Sequence, residues 1–239
     1  MKELPVVWID TETTGLDPSV SEVVEVAAVY RAPFREKIEA WANVIFLDRP
    51  FELWDVPAQH IRMVHDILDA YGVDADGVGV FYRRVMPVQL HLAEPEAMQI
   101  NGYDAAIWQR DAVPFDEMAA ALRLWVPRQG SRPWVGGYHV RYDLGLLEAL
   151  CRRHDASMPP FHRTVEIETL LWEHLKMQPQ TKVRFSDVAT AMGVTRSREH
   201  TALADAVRAM VIGEKLRSAG WAQRRVWSWR LQQNVKKNR

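Results

Sequence analysis

The sequence contains a single cysteine, Cys151, so no disulfide can form within the chain. Such low cysteine use is typical of a reducing compartment, and we expect the protein in the cytoplasm. No apolar run approaches the roughly 20 residues of a membrane-spanning helix. Asp10 and Glu12 also come too early in the sequence for a signal peptide. The sequence therefore predicts no membrane association.

The chain also lacks an excess of either charge. Its 30 Lys and Arg residues nearly balance 31 Asp and Glu residues, which gives a formal net charge of −1 at pH 7. Nucleic acid would therefore have to bind through local basic patches or through metal ions. Hydrophobic residues make up 48% of the 239 residues. This is enough for the core of one large domain, with or without an insertion.

The most informative stretch is Val6–Gly15 (VVWIDTETTG). Its four leading apolar residues predict a strand buried on both faces. Asp10 and Glu12 follow directly, and side chains two residues apart in a strand point the same way. Two carboxylates this close favour a hard divalent cation between them, although a lone Asp-x-Glu can also be an ordinary strand end. Gly15 suits a tight exit turn with a positive φ.

Two further acids stand at comparable places in the chain. The short strand predicted over residues 134–137 leads into a helix that starts near Asp143, where Asp could also serve as an N-cap. Asp205 lies in an alanine-rich helix predicted over His200–Leu216. On one continuous helix His200 and Asp205 would point about 140° apart. They converge only if His200 precedes or opens the first turn.

Alternating and periodic hydrophobic patterns predict an α/β chain. We expect strands over 21–30, 41–47, 78–87 and 134–137, a strand that continues as a helix over 165–172, and helices within 93–108 and over 115–124, 185–192 and 200–216. A helical insertion near 48–78 interrupts a domain that covers residues 1–220. Residues 221–239 hold six Lys or Arg and no acid. This basic C-terminal tail either contacts nucleic acid or is a solvated terminus.

Three motifs resemble those of the DEDDh (DnaQ-like) family of 3′→5′ exonucleases, which includes polymerase proofreading subunits and oligoribonucleases. Residues 10–15 (DTETTG) are similar to the first motif, residues 138–143 (YHVRYD) to the second, and residues 200–206 (HTALADA) to the third. One departure is His139, which stands where the family usually has Asn. Its ring either orders the local loop or alters the choice of substrate.

The resemblance implies an RNase H-like α/β fold, with a mixed central sheet of about five strands flanked by helices. It implies two divalent metal ions, Mg²⁺ or Mn²⁺, about 4 Å apart at the scissile phosphodiester. The implied metal ligands and catalytic residues are Asp10, Glu12, Asp143 and Asp205, with His200 as the general base. The residues implied to hold the 3′-terminal nucleotide are Thr13, Thr14, Gly15, Leu16, Asn101 and Tyr103.

The function implied is metal-dependent hydrolysis of single-stranded DNA or RNA from the 3′ end, with release of 5′-mononucleotides. One alternative is an oligoribonuclease or RNA 3′-end trimming enzyme. Another is a non-catalytic nucleic-acid-binding module that assists a polymerase. Proofreading would require a separate polymerase as partner. DNA and RNA both stay open, because no residue can be assigned to a 2′-hydroxyl.

Overall fold

The structure, a computed structural model, describes residues 6–31, 54–126, 133–177, 182–194 and 201–237. His200 and the strand expected over 41–47 lie outside these residues. The described strands are β1 (Val6–Thr13), β2 (Val23–Arg31), β3 (Trp54–Asp55), β4 (Val78–Arg84), β5 (Trp134–Gly137) and β6 (Thr164–Glu166). The described helices are α1 (Ile61–Ala70), α2 (Pro95–Ile100), α3 (Ala105–Asp111), α4 (Phe115–Trp125), α5 (Val140–Arg153), α6 (Ile167–Leu175), α7 (Phe185–Ala191), α8 (Ala202–Ser218) and α9 (Trp221–Lys237).

The six strands form one mixed sheet in the order β3-β4-β2-β1-β5-β6. β1 is antiparallel to β2 and parallel to β5, while β3 and β6 extend the two edges. β1 is therefore central, and Val7 and Trp8 are only 0% and 1% exposed. The expected mixed sheet of about five strands is confirmed, and the additional strand is the two-residue β3.

The alanine-rich helix α8 covers the face of the sheet that carries Trp8. Its alanines at positions 202, 204, 206 and 209 are buried. Gly213 allows the closest approach, because a Cβ at this position would overlap the Trp8 ring. Small residues thus let α8 lie directly on β1, and its first turn reaches the strand end that carries Asp10 and Glu12.

The opposite face of the sheet packs against α4 and α5. Neighbouring residues of a strand face opposite sides, so Val7 and Ile9 pack with Met118 of α4 and Leu147 of α5. The same alternation continues beyond the core. It directs Thr11 toward α5, and Asp10 and Glu12 toward α8.

The region around residues 48–78 contains α1, which buries Val64, Ile67 and Leu68. Residues 221–237, where the charge pattern predicts a basic tail, form the helix α9. Trp227 and Leu231 are buried on its inner face, which packs against α6 and α7. None of the described helices has both the length and the apolar character needed to cross a bilayer.

Candidate active site

Three carboxylates meet where β1 ends and α8 begins. One oxygen from each of Asp10, Glu12 and Asp205 lies within 4.8 Å of the other two. Asp10 and Glu12 belong to β1, and Asp205 lies in the first turn of α8. All three side chains are partly exposed, so an ion could enter from solvent. We call Asp10, Glu12 and Asp205 the carboxylate cluster.

The fourth carboxylate, Asp143, lies in the first turn of α5 and is bonded to β1. Its Oδ1 accepts hydrogen bonds from the Thr11 backbone N–H at 3.0 Å and from Thr11 Oγ1 at 2.6 Å. The pairing of β1 with β5 ends at Trp8 and Gly136, so the strand edge beyond them can bond to α5 instead. Asp143 is close enough to the carboxylate cluster for its charge to raise the pKa of Asp10.

Burial raises the pKa values of Asp10, Glu12 and Asp143, and neighbouring carboxylates add to the effect. Burial, followed by the neighbouring carboxylates, raises the pKa of Asp10 well above its ordinary value. Burial is also the main cause that raises the pKa of Glu12 to about 8 and the pKa of Asp143 to about 7. A bound cation would reverse these shifts, because an adjacent positive charge favours the ionised carboxylate. Oxygen donors at this density fit hard divalent cations.

A buried arginine, Arg208, lies one helical turn after Asp205 and pairs with its carboxylate. Arg208 is 4% exposed, and its Nε donates to Tyr71 Oη at 3.1 Å. Its guanidinium also lies 5.4 Å from the centre of the Phe185 ring. The charge of Arg208 lowers the pKa of Asp10, which opposes the other shifts. No motif singles out Arg208, and the only sequence signal is its i,i+3 spacing from Asp205.

A second buried residue outside the motifs, Glu25, lies opposite Glu12 in the β1–β2 register. Its Oε2 accepts from the N–H of Ala202, the first residue of α8, at 3.3 Å. Its Oε1 accepts from Tyr82 Oη at 2.7 Å and from Arg84 Nε at 3.4 Å. Glu25 thus ties the start of α8 to β2 and β4. The available signal was an acid within an otherwise apolar strand sequence.

The turn after β1 lies against the start and the end of α2. Asn101 Nδ2 donates to the carbonyl of Thr13 at 3.0 Å, and Thr13 Oγ1 donates to the carbonyl of Gly15 at 2.8 Å. The N–H of Leu16 donates to Glu94 Oε1 at 3.1 Å, while the Leu16 side chain is 73% exposed. The structure therefore brings together most of the residues expected to hold the 3′-terminal nucleotide.

The reason for glycine at position 15 differs from the expected one. Gly15 is not among the glycines with positive φ. A Cβ there would instead lie 2.6 Å from Glu94 Oε1, so the absence of a side chain lets Glu94 lie directly against the turn. Tyr142, which lies in the second motif but is not among the implied site residues, donates to the Gly15 carbonyl at 2.7 Å. Thr14 is buried, and its Oγ1 accepts from the N–H of Glu22 at 2.9 Å.

Tyr103 and His139 stand apart from the carboxylate cluster. The Tyr103 ring packs against Trp108 with centroids 4.9 Å apart, and its N–H donates to Asn101 Oδ1 at 3.1 Å. His139 precedes α5 with a φ of 61°, and its backbone N–H donates to Glu166 Oε1 at 2.8 Å. Its ring Nδ1 lies 3.9 Å from Glu168 Oε2. His139 thus contacts two acids of the β6–α6 junction, and its ring also packs edge-on against Tyr138.

The start of α8 bears on His200, although His200 itself lies outside the described residues. The helix begins at Ala202, and Thr201 Oγ1 caps it by accepting from the N–H of Ala204 at 3.2 Å. In the sequence His200 therefore precedes the helix. That order is the one that convergence with Asp205 requires.

No protein-family model and no curated protein matches the chain. Solved structures do match. A structure of exonuclease I superposes with a TM-score of 0.61 at 15% identity and covers 95% of this chain and 43% of the other. Exonuclease I from Methylocaldum szegediense gives a TM-score of 0.57 at 16% identity, with 95% and 42% covered. The zinc-bound complex of E. coli exonuclease I with single-stranded DNA gives 0.55 at 18% identity, with 90% and 41% covered.

The fold is that of the matching part of exonuclease I. This confirms the expected RNase H-like α/β fold, with a mixed sheet flanked by helices. The chain spans about two fifths of the length of the exonuclease I chains it matches, so the likeness concerns one part of those proteins.

Proposed function

We propose that the protein is a metal-dependent 3′→5′ exonuclease that hydrolyses single-stranded nucleic acid and releases 5′-mononucleotides. The observation that carries the proposal is the carboxylate cluster, with Asp143 bonded to Thr11 beside it. Support comes from the order of the motifs, which resemble the DEDDh exonucleases, and from the fold shared with exonuclease I. The complex of E. coli exonuclease I with single-stranded DNA favours DNA as the substrate.

Mg²⁺ or Mn²⁺ ions would be held by the carboxylate cluster and Asp143, and two ions would balance the four negative charges. When bound, such ions stabilise charge on a phosphodiester and make bound water a stronger nucleophile. The protein's own contribution is to fix the ligands before substrate arrives. Thr11 fixes Asp143, while Glu25 and Arg208 fix the first turn of α8.

The 3′-terminal nucleotide would contact the turn over residues 13–16. The exposed Leu16 side chain offers an apolar surface to the face of a base. The backbone of this turn is already bonded to Asn101, Glu94 and Tyr142, so it presents a rigid surface. The 3′→5′ polarity rests on the motif resemblance, as do the general-base role of His200 and the separate polymerase partner.

Digestion of matched DNA and RNA oligomers tests the proposal. With Mg²⁺, a 5′-labelled single-stranded DNA should shorten progressively from its unlabelled end, and a 3′-labelled one should release labelled mononucleotide first. EDTA should stop both reactions, and Mn²⁺ should restore them. Asp10→Asn serves as the matched inactive control.

Internal fragments at early times, or full cleavage in EDTA, would contradict the proposal. Faster digestion of RNA than of DNA would instead indicate an RNA 3′-end trimming enzyme. Tight oligomer binding without any hydrolysis under Mg²⁺ or Mn²⁺ would indicate a non-catalytic binding module.

A further inference from the structure

The outer face of α9 presents two exposed tryptophans with an arginine between them. Trp221 and Trp229 are 73% and 63% exposed. The guanidinium of Arg225 lies 5.1 Å from the centre of the Trp221 ring. Residues four apart on a helix are neighbours on one face, so these three side chains form a row. We call Trp221, Arg225 and Trp229 the tryptophan row.

The packing of α9 does not use this row. Trp227, Leu231 and Val235 are the residues that anchor the helix, and they are at most 8% exposed. A tryptophan side chain can bury about 150–250 Å² of surface, so two largely exposed ones leave a substantial aromatic area open to solvent. Exposed aromatic area of this kind is what a stacking ligand needs.

The surroundings of the tryptophan row are positively charged, although the whole chain carries a formal net charge of −1. α9 has basic residues and no acidic residue. The row itself lines a groove of about 700 Å³ between α9 and the end of α6. Its lining includes Lys176, Arg224 and Arg225 against one carboxylate, that of Glu173. A surface with this charge attracts an anionic partner.

A short series of contacts joins α9 to the carboxylate cluster. Asn234 Nδ2 of α9 donates to the carbonyl of Asp187 in α7 at 3.4 Å. Phe185, at the start of α7, packs against the guanidinium of Arg208, which pairs with Asp205. α7 thus lies between the carboxylate cluster and α9.

We propose that the tryptophan row is a second contact site for single-stranded DNA and holds the strand on the 5′ side of the nucleotide being removed. Bases stack on Trp221 and Trp229, and a backbone phosphate pairs with Arg225. Flat aromatic rings beside cationic groups suit single strands of any sequence. The identity of the strand rests on the proposed function, but binding at the row requires no hydrolysis.

The test compares oligothymidylates of about 4 and about 20 nucleotides, 5′-labelled and bound to the full chain in EDTA, by fluorescence anisotropy. The row spans about 12 Å from Trp221 to Trp229, and α7 lies between α9 and the carboxylate cluster, so we expect only the longer oligomer to reach both sites. The double variant Trp221→Ala/Trp229→Ala should bind the longer oligomer at least about tenfold more weakly. Its rate of hydrolysis of the short oligomer with Mg²⁺ should equal that of the wild type.

Arg225→Ala and Arg230→Ala form a matched pair. Both remove one positive charge from an exposed position of α9, but Arg230 lies about 140° around the helix from Arg225. Arg225→Ala should reduce the slope of log affinity against log salt concentration by about one, and Arg230→Ala should leave the slope unchanged.

Unchanged affinity of the double variant for the longer oligomer would overturn the proposal, as would equal effects of Arg225→Ala and Arg230→Ala. The proposal would also be overturned if the double variant kept its affinity for the longer oligomer and lost only binding to phosphatidylserine vesicles, or only self-association measured by light scattering. The single Trp→Ala variants repeat the test if the double variant is less stable to heat. If the protein binds the longer oligomer through the tryptophan row but hydrolyses no oligomer, the proposed contact site would be upheld and the proposed exonuclease activity would be refuted.

Discussion

The four acids of the site differ in their immediate partners. Asp205 pairs with the buried Arg208, whereas Asp143 accepts two hydrogen bonds from Thr11. Asp10 and Glu12 face mainly other carboxylates, which adds to the effect of burial on their pKa values. Removing one negative charge therefore has a different effect on stability at each position.

Asp10→Asn and Asp205→Asn should abolish metal-dependent hydrolysis but shift metal-free stability in opposite directions. Asp10→Asn removes a repelling charge and should raise the unfolding temperature in EDTA. Asp205→Asn leaves the buried Arg208 without its carboxylate, which we expect to lower the free energy of unfolding by about 3 kcal/mol. Thermal and urea unfolding in EDTA measure both effects. Shifts of the same sign would contradict the assigned role of Arg208.

His200→Asn should lower the hydrolysis rate by about 10²–10⁴-fold, because Asn can orient a water molecule but cannot take its proton. The fall of the rate at acid pH should also disappear. Mn²⁺ affinity should persist, because the variant keeps all four carboxylates. Rate against pH at saturating Mn²⁺, for wild type and variant, provides the measurement. A variant with a nearly wild-type rate and the same acid limb would remove His200 from the mechanism and direct attention to His139.

Among the structural elements, α8 has the greatest influence on the site, because it carries Asp205 and lies directly on β1. Its position along the sheet depends on the small residues that face Trp8. Its N-terminal end depends on Thr201 and on the buried carboxylate of Glu25. Both dependencies can be tested without changing a metal ligand.

Gly213→Ala and Gly145→Ala should have opposite effects on stability. Ala is favoured over Gly in a helix by about 1 kcal/mol. At position 145 in α5 nothing lies within 4 Å of a new Cβ, so that gain should appear. At position 213 the Cβ would overlap the Trp8 ring, and overpacking of about 1–3 kcal/mol should outweigh the gain. Urea unfolding measures both effects. A stabilised Gly213→Ala variant would show that α8 can move away from the Trp8 ring at little cost.

Glu25→Ala should destabilise the protein by about 2–4 kcal/mol, since the Tyr82 hydroxyl and the Ala202 N–H lose their acceptor and Arg84 keeps only its pair with Asp111. Glu25→Gln keeps an acceptor oxygen and should cost less. Because Asp205 lies in the turn that Glu25 holds, both variants should also weaken Mn²⁺ binding, which isothermal titration calorimetry measures. Unaltered Mn²⁺ affinity in a destabilised Glu25→Ala would limit Glu25 to a structural role.

The sequence predicts features whose cause is local and misses those that depend on distant partners. The apolar run before Asp10 and the alanines of α8 identify a central strand and a close-packed helix. Glu25 and Arg208 could not be selected, because Glu25 meets Ala202 across 177 positions and Arg208 meets Tyr71 across 137. In α9 the basic composition led to the prediction of a tail. The buried residues Trp227, Leu231 and Val235 nevertheless repeat every four positions, a helical spacing that is visible in the sequence.

In the metal-free molecule as a whole, folding raises the pKa values of two acids and so opposes their ionisation. The folded-state pKa is about 8 for Glu12 and about 7 for Asp143, against ordinary values of 4.5 and 3.8. The folded state thus binds these protons more tightly than the unfolded state. The corresponding stability is complete below about pH 4 and is lost as the pH rises through 7 to 8.

The free energy of unfolding in EDTA should therefore receive a contribution from these two groups that falls by a few kcal/mol between about pH 4 and 8. Glu12→Gln should flatten part of this fall, so the difference between wild type and variant isolates the effect from other titrating groups. Saturating Mn²⁺ should restore stability at pH 8, because the ions bind only the folded state. A wild-type advantage that grows with pH in EDTA would contradict the shifts.

The place of the carboxylates along the chain also determines when the site can exist. Asp10 and Glu12 are synthesised well before Asp205, which follows Asp10 by about 195 residues on α8. At roughly 5–20 residues per second, synthesis needs about 10–40 s to pass from the first of these acids to the last. Throughout that interval the nascent chain carries only part of the ligand set. Competence to bind the ions therefore cannot precede the synthesis of α8 and its packing on β1.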